Sequence, residues 1–600
     1  MGANTYSDAG GSGTTFRVWS LFAKQIFVAG TFNGWSTTAT ELFSENNGFW
    51  SADVPTAHTG DSYKYSVVPT SGSPLWRMDP YASQITHDDK NSLNAVISSS
   101  DVPYGICGFT TPNWNEMVIY ELDIGTFAQG NGLDGNGSFL DAAGKLDYLQ
   151  QLGINAIEVM PIGQFIGNQS AGYNPAYIFA IEDEFGGPDG FRKFVNEAHE
   201  RGIAVIVDVV YNHLGNSAGD MWQFDGWPAP QNTGGIYFYN DWRNYTAWGN
   251  TRFDYGRGEV RQYLRDNAMR RLQERYADGL RWDSVGSIRN VYDRDQDPGD
   301  DLPDGWSLMQ WINSEIAQAQ PWKISIAEDM KENEWITKDV GAGGAGFDAQ
   351  WGAQFVAQAR GALIPSSDSD RSMASVAWLI GQKYNAAAFQ RVIYTESHDA
   401  DSFQGAQRLP ESIWPGNADS WAAKKRSTLG AAMVMTAPGI PMIFMGQEFL
   451  SWGHFDPNVA LDWSNQTKFP GIVNLYRDLI HLRRDWFNST TGLKGQNVNV
   501  YHVNDNDKLV AFHRWENGGP GDDVVVLLNF GNRSYPSYTI GMPASGMWEA
   551  RFNSDSNLYD PGFGNYPTYG TEANGPGMDG LAQSANISIG PYTAVIFSQD

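Results

Sequence analysis

Apolar and polar positions along the 600-residue chain change their period twice. Up to about residue 105 they alternate in short stretches, such as 15–19, 25–28 and 62–67, separated by Gly, Asn, Ser and Pro. That is the pattern of half-buried strands joined by turns. It predicts a β-sandwich over residues 1–108. From about residue 113 the texture differs. Unbroken apolar runs at 117–122, 156–160, 204–209, 279–282, 324–327, 391–395 and 442–445 alternate with helical patterns such as 190–201, 259–276 and 306–319. Buried strands separated by amphipathic helices predict a parallel sheet with crossover helices. So many units within residues 109–490 favour a closed (β/α)8 TIM barrel over an open sheet. After a helical stretch at 474–485, alternation returns at 498–503, 508–515, 523–529 and 594–597, which predicts a second β-sandwich over 491–600. The expected fold class is therefore α/β, a (β/α)8 barrel between two sandwiches. Three domains suit a chain too long for one core.

Inside the barrel region, residues 216–252 form a connection whose length suggests function. It carries Trp222, Trp227, Tyr237, Tyr239, Trp242, Tyr245 and Trp248. The whole chain holds 23 Trp, 27 Tyr and 31 Phe. Most must pack cores, but an exposed aromatic face also covers the C–H face of a pyranose ring. The net charge of −28 disfavours nucleic acid and anionic membrane as partners, whereas a neutral polysaccharide meets no such penalty. Cys107 is the single cysteine, which excludes an intrachain disulfide and a cysteine metal cluster; a buried inert thiol is expected. No stretch approaches the roughly 20 apolar residues of a membrane helix. No basic segment followed by an apolar run opens the chain. The expectation is a soluble monomer, either cytoplasmic or secreted with its leader removed.

Polar residues collect where the apolar runs end. Tyr211-Asn212-His213 follows one, Asp283 follows Gly279-Leu280-Arg281-Trp282, Glu328-Asp329 follows Ile326-Ala327, and Glu396-Ser397-His398-Asp399 follows Tyr394-Thr395. In a barrel these ends share one mouth, where active sites sit. A lone Asp in such a place is usually a helix cap or surface charge. Acids after several consecutive strands are not explained that way. Acetal cleavage needs one carboxyl to protonate the leaving oxygen and another to attack or stabilise the anomeric carbon. Arg281, two residues before Asp283, shares its strand face.

The ordered set Asp208-Val209-Val210-Tyr211-Asn212-His213, Gly279-Leu280-Arg281-Trp282-Asp283, Ala327-Glu328-Asp329 and Ser397-His398-Asp399 resembles the motifs of glycoside hydrolase family 13, the α-amylase superfamily. Residues 154–161 and 439–448 resemble its second and last barrel strands. The resemblance implies Asp283 as nucleophile, Glu328 as general acid/base and Asp399 as the third acid, gripping sugar hydroxyls. It implies Arg281, Asp208, His213, His398 and Tyr173 as the residues around the same sugar, with Arg281 keeping Asp283 ionised, Asp208 as its buried partner and Tyr173 stacking on the glucose. Glu328 must start protonated, so its site is expected to raise its pKa relative to Asp283. Glu396 and Glu448 are expected as supporting polar residues. Asn212 stands where many amylases have a calcium ligand, which leaves room for a structural calcium; the chemistry requires no cofactor.

The segment Gly30-Thr31-Phe32-Asn33-Gly34-Trp35, with Tyr63-Lys64-Tyr65 and Asp79-Pro80-Tyr81, resembles the family 48 carbohydrate-binding module that precedes the barrel in branching enzymes, isoamylases and maltooligosyltrehalose trehalohydrolases. Residues 120–127, 253–257 and 552–556 resemble branching enzymes. Ala400-Asp401-Ser402 after Asp399 departs from them, and Gly405-Ala406-Gln407-Arg408-Leu409 is closer to hydrolytic relatives. The resemblance thus implies an enzyme that cleaves α-1,4 bonds in an α-glucan and moves the chain to a 6-hydroxyl. The alternatives are hydrolysis by an α-amylase, a debranching or trehalohydrolase-type hydrolase, and a non-catalytic glucan-binding protein.

Overall fold

The computed structural model describes residues 1–8, 11–87, 92–98, 108–128, 130, 136–167, 169–215, 219–227, 229–402 and 405–600; Cys107 lies outside them. Eight parallel strands close a barrel in chain order: Ile119–Leu122, Ala156–Val159, Ala204–Val209, Gly279–Trp282, Ile324–Ala327, Ala349–Trp351, Arg391–Ile393 and Ile440–Phe444. The last pairs with the first, with Met442 opposite Ile119. The apolar runs mark seven of these strands. The sixth, Ala349–Trp351, is three residues centred on the polar Gln350, so no run reveals it. The helix expected at 259–276 ends its α-helical part at Met269 and continues as a π-helical turn over Arg270–Glu274.

Barrel strands alternate inward and outward with period two. Ile119, Ala156, Ile206, Ile326 and Met442 form a closed apolar floor. Two positions along the first three strands are Glu121, Glu158 and Asp208. The register sets Glu121 opposite Glu158 and Asp208 opposite Arg281. The same alternation that fills the floor therefore builds a polar layer above it, at the carboxyl ends of the strands.

The N-terminal strands pair in one continuous path that folds over itself, bringing Phe16 against Tyr63 at 5.0 Å between ring centroids. This layer leans on the long barrel connection. Arg77 donates to the carbonyls of Phe224 and Gln223 at 2.7 and 3.0 Å, and the amide of Phe22 donates to Asp225 at 2.9 Å. Tyr237 and Tyr239 of that connection are buried in the packing, while Trp242, Tyr245 and Trp248 stay exposed. The aromatic-rich loop thus splits into a structural half and a solvent-facing half.

In the C-terminal region a six-stranded sheet packs on a two-stranded one, with Leu509, Ala511, Val525 and Leu527 in the same apolar cluster as Ile540 and Ile587. The opposite face meets the barrel helix Trp421–Thr436. There Lys425 donates to Asp555 at 2.7 Å and to Thr593 at 3.0 Å, with neither charged side chain exposed. Removing one partner of a buried pair strands the other charge. Asp555→Ala should lower stability by about 3–5 kcal/mol, measured as a fall in the urea midpoint. An unshifted midpoint would mean that this pair does not hold the C-terminal layer to the barrel.

Candidate active site

The acids expected from the motifs converge on one cleft floor. Asp283 follows the fourth strand, its amide donating to the Val209 carbonyl at 3.0 Å. Its Oδ2 accepts a 2.9 Å bond from the Asn212 amide, and its Oδ1 lies 3.5 Å from Arg281. Glu328 follows the fifth strand. Its Oε2 accepts from the Ser284 amide at 2.8 Å and lies 3.0 Å from Arg281 Nη2. Both carboxyls are largely buried. Asp399 is different: its side chain is 56% exposed, which leaves it free to meet an entering ligand.

Arg281 has no exposed side-chain surface. Nη1 makes its tightest contact with Asp208, at 2.5 Å, and its guanidinium lies 4.2 Å from the Trp351 ring centroid. Asp208 is the buried partner of Arg281, and the two lie beneath the cleft as register neighbours on adjacent strands. The expected grip of Arg281 on Asp283 is also its longest acid contact. The Tyr173 hydroxyl donates to Asp208 at 2.6 Å, and one face of its ring is taken by His398, stacked at 4.6 Å and 17°. Any sugar contact must use the rest of this half-buried ring.

The two histidines carry opposite charge states. His213 sits between the Asn212 side chain at 2.8 Å and the Tyr173 carbonyl at 3.0 Å, and burial pushes it down to about 4. It is neutral. Burial opposes charge on His398 as well, but Asp399 and Glu121 outweigh it and hold His398 up at about 9. Its Nδ1 is 2.5 Å from Glu121 Oε1.

Burial first, then the neighbouring Glu328, push the Asp283 carboxyl well above the ordinary range. Burial thus opposes the expected role of Arg281 in keeping Asp283 ionised. Two buried carboxyls set around one guanidinium disfavour full ionisation of the site.

Several residues here carry no motif role. Glu121 anchors His398. Glu158 is buried with both carboxyl oxygens lacking a hydrogen-bond partner, and burial holds it well above the usual carboxylate range. Their one sequence signal is an acid inside an otherwise apolar four-residue strand. Asn212, expected at a calcium position, spends both side-chain atoms on Asp283 and His213 and has no exposure. That donor set does not fit a calcium ion. Among the described residues, no group of three or more His, Cys, Asp or Glu is arranged to hold a metal. Glu448 accepts from Tyr120 and Tyr148, at 3.1 and 2.9 Å, and Glu396 accepts from the Leu409 amide at 3.0 Å, away from the cleft.

Residues 125–469 match the model of the α-amylase catalytic domain. The chain belongs to the α-amylase family. Residues 1–82 match carbohydrate-binding module 48, the isoamylase N-terminal domain, and 501–600 match the α-amylase C-terminal all-β domain. Among curated proteins, this family member is 28% identical to the 1,4-alpha-glucan branching enzyme GlgB of Nocardia farcinica, over 97% of this chain and 78% of that one. It is also 28% identical to the enzyme so named in Rhodospirillum rubrum, over 100% and 82%. In fold it is similar to a putative α-amylase from Salmonella typhimurium (TM-score 0.73, 19% identity, covering 100% of this chain and 99% of that one) and to a pullulanase from Anoxybacillus sp. complexed with maltotetraose (0.74, 19%, 100% and 87%). Among the described residues, no helix is long and apolar enough to cross a membrane.

The Glu121–His398 pair makes stability depend on pH. A histidine raised from about 6.5 to about 9 adds stability that is complete below the lower value and is lost as pH rises through the upper one. Glu121→Gln should therefore melt well below the parent at pH 6, by about 2 kcal/mol, with the gap narrowing towards pH 9. A gap that is constant or widens across this range would contradict the charged state of His398.

Proposed function

We propose that this α-amylase family member is a glucan-branching transferase, cleaving α-1,4 bonds through a covalent glycosyl-enzyme and passing the chain to a 6-hydroxyl. The observation that carries this reading is the likeness to branching enzymes over nearly the whole chain, flanking domains included. In the first step Asp283 attacks the anomeric carbon, the bond to the leaving oxygen breaks, and Glu328 gives that oxygen its proton. In the second step a 6-hydroxyl oxygen attacks the same carbon. The ester bond to Asp283 breaks, and Glu328 takes the hydroxyl proton. Asn212 orients Asp283, exposed Asp399 holds sugar hydroxyls, neutral His213 can donate or accept, and charged His398 donates only.

A second reading, hydrolysis by an α-amylase, is favoured by Ala400-Asp401-Ser402. Asp401 turns inward onto Arg360 at 3.0 Å and offers nothing to an acceptor. The two readings share every proposed catalytic residue and differ in what collects the glycosyl group.

Incubation with amylose separates them. Branching predicts new α-1,6 anomeric proton signals without matching reducing ends. Reducing ends alone would overturn it in favour of hydrolysis. Asp283→Asn and Glu328→Gln should each cut turnover by about 10³-fold or more while glucan binding persists. Unchanged turnover in either variant would remove that residue from the mechanism.

A further inference from the structure

A continuous run of contacts leads from Asp283 to the surface. Asn212 bonds Asp283 on one side and His213 on the other. His213 stacks under Trp248, with centroids 4.8 Å apart and planes 14° apart. Trp248 sits on a tight turn closed by the Thr246 amide and the Gly249 carbonyl at 2.7 Å, with Tyr245 at the turn's entry. Tyr245 lies 5.6 Å from Tyr292, centroid to centroid. Trp248, Tyr245 and Tyr292 are each nearly half exposed.

These rings are held in place from behind. Arg252 has no exposure and donates from the same nitrogen to the carbonyls of Tyr245 and Val291, the latter at 2.8 Å. It thereby ties the Trp248 turn to the segment carrying Tyr292. That segment belongs to the Glu328 side of the cleft. The Val285 amide donates to the Glu328 carbonyl at 2.9 Å, and Arg289 pairs with Asp329 at 2.8 Å. The leaving group departs, and the acceptor enters, on the side of the acid/base carboxyl. Rigid aromatic faces on segments tied to this end of the fifth strand can stack an incoming pyranose while covering the approach that water would use.

We propose that Trp248, Tyr245 and Tyr292 form the acceptor-binding wall of this enzyme, a site for an α-glucan chain that governs whether sugar or water collects the glycosyl group. The proposal rests on the glycosyl-enzyme reading of Asp283, but not on the linkage formed. In the step it governs, an acceptor hydroxyl oxygen bonds to the anomeric carbon, the ester bond to Asp283 breaks, and the proton passes to Glu328. Water, when it replaces the sugar, follows the same balance. Charge is consistent with the choice of ligand: the chain's net −28 leaves a neutral glucan unopposed.

The test is the partition of one intermediate. The full chain is supplied with α-maltosyl fluoride as donor and excess maltohexaose as acceptor. Extended oligosaccharide counts transfer, and free maltose counts hydrolysis. Tyr245→Ala, Tyr292→Ala and Trp248→Ala should each lower the transfer-to-hydrolysis ratio by about tenfold. Tyr245→Phe and Tyr292→Phe keep the ring face and should stay within about twofold of the parent. The ratio does not depend on how much enzyme is folded. Alanine variants with the parental ratio would overturn the wall, as would a parent enzyme that only hydrolyses. A parent that transfers but forms only α-1,4 links would defeat the branching reading while supporting the wall.

Discussion

The buried Arg281 guanidinium is the constraint around which the catalytic end of the barrel is arranged. It faces Asp208 at 2.5 Å, Glu328 at 3.0 Å and Asp283 at 3.5 Å, with the Trp351 ring against its plane. Buried charge is tolerated only where it is paired. One cation cannot neutralise three carboxylates, so protons must supply the rest. Burial raises Asp208 to about 7, and holds Asp283 and Glu158 well above the usual carboxylate range. Retention of protons among these carboxyls is thus a consequence of charge balance in a low-dielectric layer.

The mouth has its own balance. His398 is charged because Glu121 and Asp399 face it, and it stacks on Tyr173, whose hydroxyl returns to Asp208. The open rim and the buried layer are therefore one network, joined through a tyrosine. The strand ends fix this network from below, and the long connection fixes it from the side. That connection is braced by the N-terminal layer through Arg77 and Phe22. The flanking domain is thus positioned to brace the connection that borders the cleft.

Much of this was legible in the sequence, for physical reasons. Buried strands are apolar runs, so seven of eight barrel strands could be marked. Ala349–Trp351 escaped because a polar residue sits at the centre of a strand three residues long. The strand-end positions of Asp283 and Glu328 were legible because each immediately follows an apolar strand, whereas Asp399 lies in the connection beyond Ile393. Glu121 and Glu158 were not, because an acid inside a strand announces burial without a partner; Glu121 finds His398 far along the chain, and both Glu158 carboxyl oxygens lack a hydrogen-bond partner. Asp208 as the buried partner of Arg281 came from the motif resemblance, because cross-strand register is something no single segment encodes. The same holds for Asn212, whose engagement with Asp283 spans 71 residues and closes the position to calcium. The division of residues 216–252 into buried and exposed aromatics depends on what the N-terminal layer covers.

The proposed mechanism turns on Asp283 as the attacking carboxyl and Glu328 as its proton partner, both facing Arg281. The most direct test is to trap the intermediate. Glu328→Gln, given an α-glucosyl fluoride whose leaving group needs no proton, should form a glycosyl-enzyme and then stall. Peptide mapping by mass spectrometry should find the added glucosyl mass on the peptide containing Asp283, with fragmentation placing it on that side chain. An adduct on Asp208, Asp399 or Glu158, or stoichiometric fluoride release with no adduct, would contradict the account.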